Sequence, residues 1–336
     1  MSSPFRWGIL GTGNIAKKFA AGLASVPDAT LVAVGSRTAA SAAAFAKEFK
    51  IAHVHDSYAA LASDSTIDAI YIATPHPLHR ENAVLCLEHG KAVLCEKPFT
   101  VNLAEAQAVV AVARRKKAFC MEALWTRFLP VTVQVRQWLD QQEIGEVRMM
   151  TADFGFRAGW NPTSRLLDPA LAGGALLDVG CYTLAYARMV FGADPQRIQA
   201  MAHLGETRVD EQIAMTAQYA GGGLANLTAA VRTNTNHDVW IYGTTGKIHV
   251  PSFWNGRRAT LFRDGKEPLP CEPTFGGNGY NYQAVEVATC VRAGKTESAI
   301  VPLATSLAIM ESMDAVRKQI GLVYPMDTSA TAKKAQ

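Results

Sequence analysis

Trp7-Gly8-Ile9-Leu10-Gly11-Thr12-Gly13-Asn14-Ile15-Ala16 carries the chain from its first apolar run into an amphipathic stretch through a G-x-G-x-x-A turn. In a strand–turn–helix setting, Gly11 permits the tight turn and Gly13 lets the main chain approach a pyrophosphate. Ala16 allows the helix to pack closely on the strand. An anion bound there meets free N–H groups and the positive end of a helix dipole. The motif alone is weak. Its place at residue 11, with a second apolar run ending about 20 residues further on, makes it a dinucleotide-binding signature, with Thr12, Asn14 and Ile15 completing the loop.

Outward from that turn, residues 7–10, 30–35, 69–74 and 92–95 are expected as strands, and 14–25, 39–49, 77–89 and 103–116 as helices. Near-continuous apolar strands separated by helices indicate a parallel sheet covered on both faces. After Met121 the texture changes to alternation of polar and apolar residues over 146–156, 197–204, 212–219 and 223–232. Turn signals stand at 220–222, 243–246 and 264–265. Helices expected over 130–141, 180–191 and 281–293 would cover one face of a mostly antiparallel sheet. Its other face must meet solvent or a second subunit. The fold class is therefore α/β: a Rossmann-type doubly wound parallel sheet over 1–122, then an α+β domain with a large open-faced sheet over 123–326. A closing helix is expected at 303–319, and a disordered tail at 327–336.

Composition supports a globular protein. Of the 336 residues 49% are hydrophobic and 18% charged, enough to bury two cores, and the net charge of +4 is scattered. The one tight basic run, Arg114-Arg115-Lys116-Lys117, ends a helix-like segment, where cations complement the dipole, so nucleic acid is not an expected partner. Cys86, Cys95, Cys120, Cys181, Cys271 and Cys290 form no CxxC pair and are expected as reduced thiols. No apolar leader and no stretch of membrane-spanning length are expected, which points to a cytoplasmic protein without a membrane partner. His76 and His79 have a His-x-x-His spacing, but with Pro77 between them and no accompanying ligand cluster they are not taken as a metal site.

The end of the second strand selects the cofactor. A carboxylate there would bond a ribose 2′-hydroxyl; this chain has Ser36-Arg37-Thr38. Ser36 leaves room, Arg37 can clamp a 2′-phosphate with its planar fork, and Ser36 and Thr38 add donors, so NADP(H) is expected, with NAD as the weaker alternative.

Ile72-Ala73-Thr74-Pro75-His76-Pro77-Leu78-His79, followed by Gly90-Lys91-Ala92-Val93-Leu94-Cys95-Glu96-Lys97-Pro98, resembles the glucose–fructose oxidoreductase, inositol dehydrogenase and rhizopine-catabolism (Gfo/Idh/MocA) family over essentially the whole chain. Met121-Glu122-Ala123-Leu124-Trp125-Thr126-Arg127-Phe128 and 173–182 look like the branch of dimeric dihydrodiol dehydrogenases and NADP-dependent D-xylose dehydrogenases. The resemblance implies a homodimer, or a dimer of dimers, formed through the open sheet. It implies that Lys97 is the active-site lysine, that Tyr182 is the acid/base where many members have histidine, and that Thr74, Pro75 and His76 lie on the nicotinamide side, with His79 beside them. Glu96 and Lys97 would also touch the cofactor. Asp178, four residues before Tyr182, would share its side of a helix starting at 179 or 180 and bind substrate or a lysine. An unperturbed phenol titrates at about 10, so as a base Tyr182 needs a neighbouring cation such as Lys97.

Trp125, Arg127, Phe154, Arg157, Trp160, Asn161 and Arg165 are candidates to wall a substrate pocket, and the glycine-rich 275–280 segment ending in Tyr280 is a candidate lid. Aromatic rings with arginines suit a sugar, a polyol or a trans-dihydrodiol equally. The expected activity is hydride transfer between nicotinamide and a CH–OH group. The competing readings are an NAD-dependent glycosidase of the same family and a non-catalytic NADP sensor.

Overall fold

The first apolar run forms β1 (Phe5–Leu10), and the glycine turn delivers the chain into α1 (Asn14–Leu23), as seen in a computed structural model that describes residues 3–327. There follow β2 (Ala29–Gly35), α2 (Ala39–Phe49), β3 (His53–His55), α3 (Tyr58–Ser63), β4 (Ala69–Ile72), α4 (His79–Glu88), β5 (Ala92–Cys95), α5 (Leu103–Lys116) and β6 (Cys120–Glu122). All six strands pair in parallel, in the order β3-β2-β1-β4-β5-β6. The order reverses on either side of β1, and the crevice beyond the strand ends at such a switch point is where open α/β sheets bind ligands. Every residue of β4 and β5 is buried, which explains their unbroken apolar runs.

Register fixes what reaches that edge. Gly35, Leu10, Ile72, Cys95 and Glu122 lie in one row across five strands. The next residue of each chain segment hydrogen-bonds back across the row: Gly11 N–H to Gly35 O at 2.9 Å, Ala73 N–H to Leu10 O at 2.9 Å, Glu96 N–H to Ile72 O at 3.1 Å, and Ala123 N–H to Cys95 O at 2.7 Å.

The chain continues through α6 (Pro130–Asp140), β7 (Val147–Gly155), α7 (Cys181–Phe191), β8 (Arg197–Leu204), β9 (Asp210–Gln218), β10 (Leu224–Ala230), β11 (Val239–Gly243), β12 (Gly246–Val250), β13 (Ala259–Arg263) and β14 (Leu269–Cys271). These eight strands make a second sheet, antiparallel except for the β7–β10 pair. One face buries Met150, Ala152, Phe154, Ile213, Met215, Leu227, Ile241 and Ile248, and α7 packs against β7 and β10 on that side. The opposite face exposes Met149, Met201 and Leu224 and carries Trp240 stacked on His249, with ring centroids 4.1 Å apart. The edge strand β8 is met by α9 (Leu303–Ile320): the Gln319 side-chain amide accepts from Ala200 N–H at 3.1 Å and donates to Ile198 O at 3.0 Å.

Three expectations need correction. Helix α8 (Tyr280–Arg292), expected with the second sheet, packs on α1 and belongs to the first unit. The chain forms two compact units, Met1–Trp125 with Gly276–Leu307, and Thr126–Phe275 with Ala308–Gln336, so they are not consecutive segments as the 1–122 and 123–326 division has them. The returning segment is tied to the first unit by Asn278 Nδ2 donating to Lys18 O (2.7 Å), Cys120 N–H to Thr296 O (3.1 Å) and Arg292 Nη2 to Ser3 O (3.0 Å). An amphipathic period shows that a helix has an apolar face, not which sheet it will meet. Second, Pro169–Phe191 is long and apolar enough by composition to cross a membrane, with mean hydropathy 1.3, although no such stretch was expected; 89% of that window is buried inside the protein, as a core helix requires. Third, Asp327 is tied in, accepting from Tyr324 N–H at 2.9 Å and pairing with Arg317; residues 328–336 of the expected tail lie outside the described residues. The basic run closes the last turn of α5, where Arg115 and Lys116 both pair with Glu88.

The turn before α7 is built under constraint. Gly174 holds φ +118°, and a Cβ there would overlap Asp210 Oδ1. Asp210, fully buried at the start of β9, accepts from Leu176 N–H at 2.6 Å, and Tyr324 donates its hydroxyl to Gly173 O at 2.6 Å. A single π-turn over Leu176–Gly180 then runs into α7. Burial pushes the Asp210 carboxyl up to about 7. Such a group stays neutral in the fold while the unfolded chain ionises, so its contribution to stability falls as pH rises from about 4 to about 7. Gly174→Ala should cost roughly 2–3 kcal/mol in urea unfolding. Asp210→Asn should flatten the decline of the urea midpoint across that pH window; a slope equal to wild type would show that this carboxyl is not its source.

Candidate functional site

The nucleotide turn of the first unit is shaped as its glycines require. Gly11 holds φ +102°, and a Cβ would come within 2.9 Å of Ala73 O, so only glycine lets the ends of β1 and β4 lie this close. Gly13 is the cap residue of α1 and bears no side-chain cap; the first helical turn holds no acidic residue, and nothing lies within 4 Å of where a Cβ would sit. Free N–H groups facing open space at a helix start suit a phosphate. Thr12 and Ile15 are partly exposed, and Asn14 is exposed. At the end of β2, Ser36 is buried and Arg37 exposed, its charge felt by the Tyr58 phenol. Thr38 is committed elsewhere. Its hydroxyl caps α2, accepting from Ser41 N–H at 3.3 Å.

Behind the next strand ends lies a tighter arrangement. His79 has no exposed surface, and its ring nitrogens face two main-chain carbonyls: Nδ1 to Pro98 O at 2.8 Å and Nε2 to Thr74 O at 2.9 Å. It therefore braces the site from within; direct contact with a nucleotide, expected from the resemblance, is not what this geometry offers. Two acceptors would favour the cation, but burial, with Lys97 adding to it, pushes the imidazole down. Asn82, one turn along α4, donates to Thr74 Oγ1 at 3.2 Å. Pro75 is exposed and His76 buried, with its ring 5.7 Å from that of His79.

Glu96 is buried and held by the Tyr71 hydroxyl, whose ring is stacked on Phe19 with centroids 3.8 Å apart; Lys97 N–H donates to Glu96 Oε2 at 3.2 Å. Lys97 itself is partly exposed and precedes Pro98 through a cis peptide bond. Glu122, at the end of β6, accepts from Phe99 N–H at 2.9 Å. Trp125 and Tyr280, both read as substrate residues, are brought together as a stack with centroids 4.4 Å apart and are buried. The glycine-rich 275–280 segment is fastened rather than loose: Asn278 bonds Lys18 O and also accepts from Tyr280 N–H at 3.2 Å.

In the second unit the α-helix carrying Tyr182 begins at Cys181, just after the expected 179 or 180, because the π-turn over Leu176–Gly180 precedes it. Asp178 lies inside that turn, buried, and Arg165 Nη1 meets its Oδ1 at 2.7 Å. The two residues, read separately as catalytic and substrate groups, are thus an ion pair. Tyr182 packs edge-on to Phe154 at 5.3 Å between centroids. Phe154 in turn stacks on Trp254 at 5.2 Å and lies 5.0 Å from the His237 ring. The His237 tautomer is fixed by its partners: Trp254 Nε1 donates to Nδ1 (3.2 Å), so Nε2 carries the hydrogen directed at Gly155 O (2.6 Å). Arg127 is buried, and its guanidinium donates to Ala185 O at 3.1 Å, bracing α7 from inside this unit. Trp160 is exposed with Arg232 over its ring at 5.5 Å, while Arg157 and Asn161 are exposed on the same loop.

Asn82, Glu122, Asp210, His237 and Trp254 were missed as contributors. Only Asn82 left a local trace, the three-residue spacing from His79 that puts both on one helix face. The others act across long sequence separations.

Among known proteins, residues 5–124 match the oxidoreductase family with an NAD-binding Rossmann fold, and 132–249 match the Gfo/Idh/MocA C-terminal domain. The mouse (Mus musculus) trans-1,2-dihydrobenzene-1,2-diol dehydrogenase is 39% identical over 333 residues, covering 96% of this chain and 98% of that protein. A 3-ketoreductase from Actinomadura kijaniata, solved with NADP and TDP-benzene, is 26% identical with a TM-score of 0.83, over 95% of this chain and 98% of its own. The aldose–aldose oxidoreductase of Caulobacter crescentus, solved with glycerol, shares the fold at a TM-score of 0.87 and 24% identity, over 94% and 97% of the two chains. With the glycine turn, the switch-point sheet and the eight-stranded second sheet in place, the chain belongs to the Gfo/Idh/MocA oxidoreductase family.

Proposed function

We propose that the protein is an NADP(H)-dependent dehydrogenase or reductase that acts on the CH–OH group of a trans-dihydrodiol, sugar or polyol. The observation that carries this reading is the register row, which brings the Gly11–Gly13 turn, Ser36-Arg37 and Glu96-Lys97 to one edge of one sheet. Extended similarity to a dihydrodiol dehydrogenase supports the substrate class, and the NADP complex of a 26%-identical ketoreductase supports the cofactor.

The residues present fit a phosphorylated dinucleotide. The uncapped start of α1 would take the pyrophosphate, and Arg37 the 2′-phosphate, with Ser36 small enough to admit it. Thr74, Pro75 and His76 would border the nicotinamide. That cofactor supplies or accepts the hydride when bound. In this reading Lys97 holds the substrate hydroxyl by a hydrogen bond, and Tyr182 is the acid/base that takes the proton from that oxygen on oxidation and returns it on reduction. Arg165 pairs with Asp178 inside the π-turn, so in this reading Asp178 orients the segment bearing Tyr182. The open sheet face, with Trp240, His249 and Met201, is the surface through which two copies would associate in the cytoplasm.

A spectrophotometric screen of NADP+ and NAD+ reduction over trans-dihydrodiols, aldoses and polyols tests the activity; no turnover with any CH–OH donor would refute it. Arg37→Asp should weaken NADP(H) binding on the order of 100-fold and leave NAD(H) within about threefold, because only the 2′-phosphate contact is removed. Equal losses would take the phosphate role from Arg37. Lys97→Met should keep nucleotide affinity and lose roughly 100- to 10,000-fold in kcat. A variant turning over at the wild-type rate would dispose of the lysine's part in proton transfer.

A further inference from the structure

Glu122 is an acid that the reading above leaves without a task. It ends β6, beside Cys95 in the register row, and is 1% exposed. Its Oε1 accepts the Phe99 N–H at 2.9 Å, closing the Lys97-Pro98-Phe99 turn, whose Pro98 O faces the His79 ring at 2.8 Å. Among the described residues its Oε2 has no hydrogen-bond partner. The Ser306 hydroxyl, also fully buried, faces it from α9 near enough to steady the ionised form, yet makes no hydrogen bond of normal geometry. The remaining titratable neighbours are Glu96 and Lys97 on the β5 turn and the thiols of Cys95 and Cys120, both buried and pushed up.

A buried carboxylate held by one N–H pays most of its desolvation penalty uncompensated, so it keeps its proton. A neutral carboxyl still accepts the Phe99 N–H, and so holds the turn equally well.

We propose that Glu122 is a positioning residue for Lys97, which fixes the turn bearing the lysine and works in its protonated form. This rests on the assignment of Lys97 to the proton path. Burial, with Glu96 adding to it, pushes the Glu122 carboxyl up to about 7. Losing the proton near neutral pH places a second anion beside Glu96 and Lys97. That second anion competes with the substrate hydroxyl for the Lys97 ammonium, whose charge it feels, so the lysine serves the substrate less well. Turnover therefore carries a downward inflection around that pH.

The test pairs two substitutions in the full-length enzyme. Glu122→Gln keeps the acceptor for Phe99 and cannot titrate, so the plot of log kcat against pH should lose the inflection. Glu122→Leu loses the acceptor as well, and kcat should fall about tenfold or more across the pH range, with the NADPH Kd within about twofold. A Gln profile that superimposes on wild type, or a Leu variant with full kcat, would overturn the proposal. The proton is also read without activity. Infrared difference spectra between roughly pH 6 and roughly pH 8.5, taken in an Asp210→Asn background so that this second raised carboxyl is silent, should show a protonated-carboxyl C=O band lost on ionisation and absent when Glu122→Gln is added. If Lys97→Met turns over normally, the lysine assignment has failed while this band still reports on Glu122. If the band is missing, the protonated acid is refuted whatever the lysine does.

Discussion

Two carbonyl oxygens, of Thr74 and Pro98, converge on the two nitrogens of one buried imidazole, His79. The ring lies between the end of β4 and the turn after β5 that bears Lys97, and its single N–H, in the neutral form that burial favours, bonds one of the two carbonyls. The same turn is held by Glu122 through Phe99 N–H, and Glu96 is held by Tyr71. The side chains that meet a ligand are therefore supported by a second layer of dry polar contacts, each costly to leave unmade.

The second unit uses the same device. Asp210 reaches from the start of β9 to the Leu176 N–H, and with Tyr324 on Gly173 O it sets the entry of the π-turn and α7. In both units a buried carboxyl, raised toward neutrality by desolvation, satisfies one main-chain N–H of a segment bearing a candidate catalytic residue. An acid in this role is legible only in three dimensions, because Glu122 and Phe99 are 23 residues apart and Asp210 and Leu176 are 34.

What was legible in the sequence was local. Gly11, Gly13 and Ala16 report a backbone geometry written within six residues, and Ala39–Phe49, Ala92–Cys95 and Leu103–Lys116 fall where the periodicity placed them. Short strands such as His53–His55 and Cys120–Glu122 hold too few residues to show a period. Helix α8 was recognisable as a helix, but its return to the first unit rests on Asn278, Arg292 and Thr296, whose partners lie far off in the sequence. For the same reason a sequence shows the guanidinium of Arg127 or Arg165 without showing that Ala185 O or Asp178 is among its partners. The family resemblance supplied Lys97 and Tyr182, which spacing alone does not single out.

The amide of Gln319 against β8 has a consequence for how this protein avoids growing into fibres. A bare outer strand is a template on which a foreign strand can dock by main-chain pairing. Here two successive outward groups, Ala200 N–H and Ile198 O, are already taken by a side chain that mimics the missing ladder rung. The sheet is thereby sealed along this rim at that point, which leaves association here to the broad surface, where shape and side-chain identity can discriminate between self and stranger.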